Sequence, residues 1–324
     1  MSLVAWIGES PLQTSFGQSL RYTHNHERSE GVTNRLAAII AFTVLSMAAA
    51  VLLPPMPQPL GYHDFADQRA MLGIPNFLNV VSNVGFLLMG IAGIAVVIRA
   101  RTRFEFSSER WPYAIFFSGM LLASAGSSYY HLAPDNERLF WDRLPMTIAF
   151  MALVAAQVAD RISIKVGLAL LLPLLLVGAA SVIYWRATER AGAGNVMPYG
   201  ILQGYTVVML VLMAWLQPSR YTRGHDIYWV FAAYVVAKIL EAFDSAVFAL
   251  GDVVSGHTLK HLAAAVAGLL VCRMLLLRTL TERAAETARS AWVRTTTVEY
   301  QPRGSLRSTS SRSHSPGGRS RSHP

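Results

Sequence analysis

Residues 166–185 read Val-Gly-Leu-Ala-Leu-Leu-Leu-Pro-Leu-Leu-Leu-Val-Gly-Ala-Ala-Ser-Val-Ile-Tyr-Trp, an uncharged stretch interrupted only by one proline. About 20 apolar residues are what a helix needs to cross the hydrocarbon core of a bilayer. The corresponding span is read as 164–185, and seven further stretches come close to the same requirement: 35–53, 77–98, 112–130, 143–159, 197–216, 227–248 and 258–277. Most connections are shorter than about fifteen residues, so neighbouring helices are expected to pack antiparallel in one bundle. The expected fold class is all-α, a polytopic membrane helix bundle.

Composition points the same way. Of 324 residues, 53% are hydrophobic and 15% charged, against about 25% charged in a soluble globular chain. With a mean hydropathy of +0.36, this excludes a disordered chain, a soluble nucleic-acid binder and a small secreted domain. Cys272 is the only cysteine, so no internal disulfide and no cysteine-based metal site can form. Any metal must be held by histidine and carboxylate.

The flanks differ from the centre. Residues 1–34 form a polar arm, and the span after it is not followed by a small-residue cleavage site, so 35–53 reads as a true transmembrane helix rather than a signal. Residues 54–76 are too polar to cross and are expected to form a short surface helix carrying His63, Asp64, Asp67 and Arg69. The tail, 279–324, holds eight arginines against three glutamates, supplying +5 of the net charge of +9. It is expected to be largely disordered and to lie on anionic lipid head groups.

Eight spans put both termini on one side. Loops on that side hold Arg99, Arg101, Arg103, Arg110, Arg161, Lys165, Arg220 and Arg223, while the opposite side holds Arg69, Arg138, Arg143, Arg186 and Arg190. Arg21, Arg28, Arg35 and the basic tail join the larger group, so both termini are expected to be cytoplasmic.

Ionisable groups placed where lipid should be are costly and mark a function or a pair. Those at span ends and centres are His131, Asp142, Lys238, Glu241, Asp244, His257 and His261. His257 and His261 lie at i and i+4 at the start of the last span, so both imidazoles project from one helical face. His131 ends the third span, sharing a face with Ser127, and the topology puts it at the same depth as the other two. Three histidines with an open fourth position form the donor set of a catalytic zinc. Asp142, on the same side, can move a proton, and Ser127 can donate to a developing oxyanion. Lys238 and Glu241 read as a buried pair, and Asp244 as a support for a ligand histidine. Asn79, Ser82 and Asn83 read as polar helix-packing groups, and Tyr129 and Tyr130 as interfacial aromatics.

These residues resemble the alkaline ceramidases, within the membrane hydrolase superfamily that also holds the adiponectin-receptor-like proteins. Three blocks carry the likeness: Asn79-Val80-Val81-Ser82-Asn83; Gly126-Ser127-Ser128-Tyr129-Tyr130-His131 followed by Asp142-Arg143-Leu144-Pro145-Met146; and Phe243-Asp244 with Gly256-His257-Thr258-Leu259-Lys260-His261-Leu262. The resemblance covers about residues 60–278 and implies a seven-helix core within 54–278, preceded by one extra N-terminal helix. It implies zinc on His131, His257 and His261, acid/base chemistry at Asp142, assistance from Ser127, and Ser82 near the site. Two departures stand out. Asp64, Phe65 and Asp67 resemble part of a calcium cluster, but Arg69 and Asn76 replace an amide and an acid, so no calcium site is expected. Arg143 stands where the family has an acid. The implied function is a zinc-dependent amidase that cleaves the N-acyl bond of a ceramide-like membrane lipid, releasing a fatty acid and a long-chain base. The alternative is a receptor or sensor of the same fold with a structural zinc. A proton-coupled transporter using Lys238, Glu241 and Asp244 is a third reading.

Overall fold

In the computed structural model, residues 11–299 are described, and every regular element longer than an isolated bridge is helical among them. The order is α1 Pro11–Leu52, α2 Phe77–Val81, α3 Val84–Arg99, α4 Arg110–Leu132, α5 Asn136–Arg161, α6 Ile164–Arg190, α7 Met197–Leu216, α8 Asp226–Ala242, α9 Asp244–Phe248, α10 Gly256–Leu277 and α11 Glu282–Glu299. The protein is an all-α membrane bundle, and among the described residues six spans are long and apolar enough to cross a bilayer: Thr33–Leu52, Phe77–Arg99, Asn136–Arg161, Ile164–Arg190, Met197–Leu216 and Gly256–Leu277. Helices α4 and α8 occupy the other two expected spans. The first carries serines and histidine, and the second is 17 residues long and carries a Lys–Glu pair.

Local chemistry sets the breaks. Ser82 Oγ and Asn83 Nδ2 both donate to Asn79 O (3.1 and 2.8 Å), competing with the helical ladder between α2 and α3. Asp135, Ser163 and Ser255 cap α5, α6 and α10 by accepting from Arg138 N, Val166 N and Thr258 N, which satisfies donors that the first turn leaves open.

Helix α5 is the hub. It packs between α4 and α6 and also touches α7, while α10 lies against α8 and α3. In its most apolar stretch 67% of residues are buried, against 6% for α1, which packs chiefly along α7 at the edge of the bundle. Leu45, Leu88, Leu172, Leu176, Trp215 and Trp229 face outward, as lipid-facing positions should. Lipid removes the hydrophobic drive for helix association, leaving close packing and polar contacts to hold the helices together.

Polar contacts gather at the two ends of the bundle. At one end Tyr221 donates to Glu109 (2.8 Å), Arg278 pairs with Asp160 (2.9 Å) and Thr222 N donates to Thr279 O. At the other, Val196 N donates to Met56 O, Arg69 donates to the carbonyls of Asp252 and Val253, and His63 bridges Tyr130 and Asn136.

Several expectations need correction. Residues 54–76 form one 3-10 turn, Leu60–His63, followed by irregular chain. Pro54, Pro55, Pro57 and Pro59 remove the donors a helix needs. The polar arm is helical from Pro11 onward, and 282–299 form α11, a separate unit, instead of irregular tail. Its Glu282 and Glu286 near the N-terminus and its alanines favour helix. Residues 1–10 and 300–324 lie outside the described residues. Helix α5 starts seven residues before 143, capped by Asp135, so Asp142 and Arg143 lie within the helix. Tyr130 is buried and bonded to His63, while Tyr129 is exposed beneath Arg138.

Candidate metal centre

The last turn of α4 brings His131 against the first turns of α10, where His257 and His261 share one face. All three are buried, and one nitrogen from each lies within 4.8 Å of the others. His131 Nε2 and His257 Nε2 are 3.3 Å apart, close to the edge of about 3.3 Å that metal–nitrogen bonds near 2.0–2.1 Å give a tetrahedron. His131 Nδ1 is buried without a hydrogen-bond partner. Three converging imidazoles in an apolar interior are costly unless something satisfies their nitrogens, and a metal ion does so. An all-imidazole set fits a transition ion such as zinc better than magnesium or calcium.

Neighbours orient the rings. Ser82 Oγ lies 2.7 Å from His261 Nδ1 and 3.1 Å from Asn79 O. A carbonyl can only accept, so the arrangement that satisfies both has Ser82 donating to Asn79 O and accepting from Nδ1–H. This leaves His261 Nε2 with its lone pair free, the usual tuning of a ligand histidine by its second nitrogen. Asn76 has a left-handed backbone (φ 46°), which asparagine tolerates, and its Nδ2 donates to His131 O (2.9 Å). Phe65 closes the cluster, its ring 4.7 Å from His131 and 4.5 Å from His257.

Asp244 supports the site differently from the expectation. Its carboxylate accepts from His257 N (2.7 Å) and Ala66 N (2.9 Å), so it fixes the start of α10 and the Phe65 segment by their backbones and does not hold an imidazole. At Asp67 both carboxylate oxygens engage Arg69 (2.8 and 2.9 Å), while Asp64 is exposed and has no ion pair among the described residues. Arg69 therefore neutralises Asp67, and its hydrogen bonds hold the Asp67 carboxyl below the ordinary value.

A cavity of about 270 Å³ adjoins the cluster, with His261, Ser127, Asp142, Arg143, Lys260 and Glu241 in its wall. Ser127 of α4 and Asp142 of α5 face each other across this wall. The two are brought together because Gly126 lets α4 touch α5: a Cβ there would lie 2.0 Å from Trp141 O. Gly256 plays the same part for His257, since a Cβ would lie 2.2 Å from Leu240 O of α8. Glu241 pairs with Lys238, although Lys238 is half exposed and not buried as expected, and also with Lys260 (3.0 Å). A second cavity, about 130 Å³, is almost wholly apolar and shares Phe86, Ala123, Met146, Tyr234 and Ala264 with the first.

Sequence reasoning gave no role to Gln58, Tyr62, Trp185, Tyr199 and Lys260, and it placed Phe65 in the calcium-like cluster and not against the histidines. Only Lys260 carried a signal, a charge inside an apolar span. Comparison with protein-family models and with curated protein sequences finds no match to this chain.

Proposed function

We propose that the chain is a metal-dependent membrane amidase acting on the N-acyl bond of a ceramide-like lipid. The observation that carries the reading is the shared cavity wall: one histidine of a trio able to hold a metal ion, a carboxylate and a hydroxyl line the same cavity. The resemblance of the three motif blocks to the alkaline ceramidases supports it. His131, His257 and His261 would hold the ion, which when bound supplies Lewis acidity at a dry site. Asp142 accepts a proton from the attacking water and returns it to the nitrogen as the C–N bond breaks and the C–O bond forms, releasing a carboxylic acid and an amine. Ser127 donates to the carbonyl oxygen as it gains charge. The apolar cavity excludes water and accepts hydrocarbon. The arginine excess on the side of the termini supports cytoplasmic termini, which puts this chemistry near the opposite leaflet.

The test is metal content together with fatty-acid release from a panel of lipid amides, for purified protein and for His261→Ala. Near-stoichiometric zinc and hydrolysis, both lost in the variant, is the expected result. Zinc without hydrolysis of any amide would replace the enzyme reading with the receptor or sensor reading, and absence of zinc would overturn the metal assignment.

A further inference from the structure

Arg143 is the cation that the site leaves without a carboxylate. Its side chain is only 4% exposed, and it is stacked against Trp185, Tyr199 and Tyr62 with its guanidinium carbon 4.4, 4.8 and 5.4 Å from their ring centres. One nitrogen, Nη2, donates to Gln58 Oε1 (2.6 Å), and Nη1 is buried without a partner. Among the described residues no carboxylate lies within ion-pair distance of it. The other cations in the cavity wall, Lys238 and Lys260, are both engaged by Glu241. Asp142, the remaining carboxylate in the wall, is outside ion-pair distance of Arg143.

A buried guanidinium with a free N–H is expensive unless an anion completes it. The cavity that Arg143 lines is small for a ligand site, of a size for a compact polar group, and it adjoins a smaller apolar cavity of about 130 Å³. We propose that the polar cavity takes an anionic oxygen group on the amine half of the substrate, so that the preferred substrate is an N-acyl amine bearing a carboxylate or a phosphate rather than a neutral long-chain base. This rests on the amidase reading for the reaction, though not for the binding. Guanidinium matches either oxyanion with charge-assisted hydrogen bonds, and three aromatic rings packed around it hold it in place while Nη1 keeps a free N–H.

Fatty-acid release from N-palmitoylglycine, N-palmitoylethanolamine phosphate and neutral N-palmitoylethanolamine separates the cases. One charge-assisted hydrogen bond predicts a kcat/KM preference for one anionic amide over the neutral one of about ten- to a hundredfold. The first or the second amide wins according to whether the group is a carboxylate or a phosphate. In Arg143→Gln that preference collapses, chiefly through KM, whereas Arg143→Lys retains part of it. Binding of the same amides to metal-stripped protein by equilibrium dialysis gives a readout free of turnover. Anion-selective binding lost in Arg143→Gln, with no hydrolysis of any amide, would keep this proposal and remove the amidase. Hydrolysis with equal use of anionic and neutral amides would overturn the proposal and leave the amidase standing. Should Arg143→Gln not fold, the wild-type preference alone decides.

Discussion

Ser82 determines which nitrogen of His261 is available, because its single proton is directed to Asn79 O and its lone pair to Nδ1. Ser82→Ala is therefore expected to weaken metal affinity by about ten- to a hundredfold while leaving the helices intact, measured by competition with a chromophoric chelator. Unchanged affinity would show that the hydroxyl does not orient the ring. Asp67 yields a pH prediction. Arg69 lowers its folded-state pKa, so the pair's stabilisation is fully present above the unfolded value of about 3.9. It is lost as pH falls through the lowered folded value. Thermal midpoints recorded in detergent from about pH 5 downward should fall more steeply for the native protein than for Arg69→Gln; parallel curves would dismiss the pair. At this scale the three histidines were legible, since an i, i+4 pair and a histidine ending a span stand out against apolar neighbours. Tyr130 was not, because an aromatic at a span end looks the same whether it meets lipid head groups or His63.

Gly126 shows how an element places chemistry it does not perform. Gly126→Ala forces a Cβ onto Trp141 O, and overpacking of this kind costs roughly 1–3 kcal/mol. The helices must part where Ser127 meets Asp142. The expected outcome is a lowered thermal midpoint with turnover reduced and metal content retained; equal turnover would mean that the α4–α5 approach is not needed for the reaction. At the opposite end of the bundle Arg278 and Asp160 are 1% and 5% exposed, and three rings surround the guanidinium. Asp160→Ala strands that cation, and breaking a buried pair costs about 3–5 kcal/mol, readable as loss of midpoint without change in metal affinity. Helix positions were legible from apolar length. The irregular course of residues 54–76 was legible only in its prolines, and reading polarity in place of donor supply gave a surface helix that does not form.

For the whole molecule, the two polar ends can be told apart by labelling. In a Cys272→Ala background, Ser107→Cys in the α3–α4 connection and Ala193→Cys in the α6–α7 connection lie in loops at opposite ends. Cytoplasmic termini predict that an impermeant maleimide added to intact cells labels Ala193→Cys and spares Ser107→Cys; the reverse pattern would invert the topology. Sequence alone determined where the apolar helices lie along the chain, because a bilayer demands about 20 apolar residues whatever surrounds them, but not their limits: α1 begins at Pro11 and α5 at Asn136, ahead of the apolar stretches. It also determined the donor set, because His257 and His261 are neighbours on any helix. Only tertiary structure decided what those donors face. His131 meets His257 across 126 residues and Ser82 meets His261 across 179, and Glu241 chooses two lysines, Lys238 and Lys260. Arg143, counted from sequence as a loop charge, became a buried cation inside an aromatic cage. Such contacts depend on how close helices can approach at Gly126 and Gly256 and on which faces they then present, quantities that no local pattern encodes.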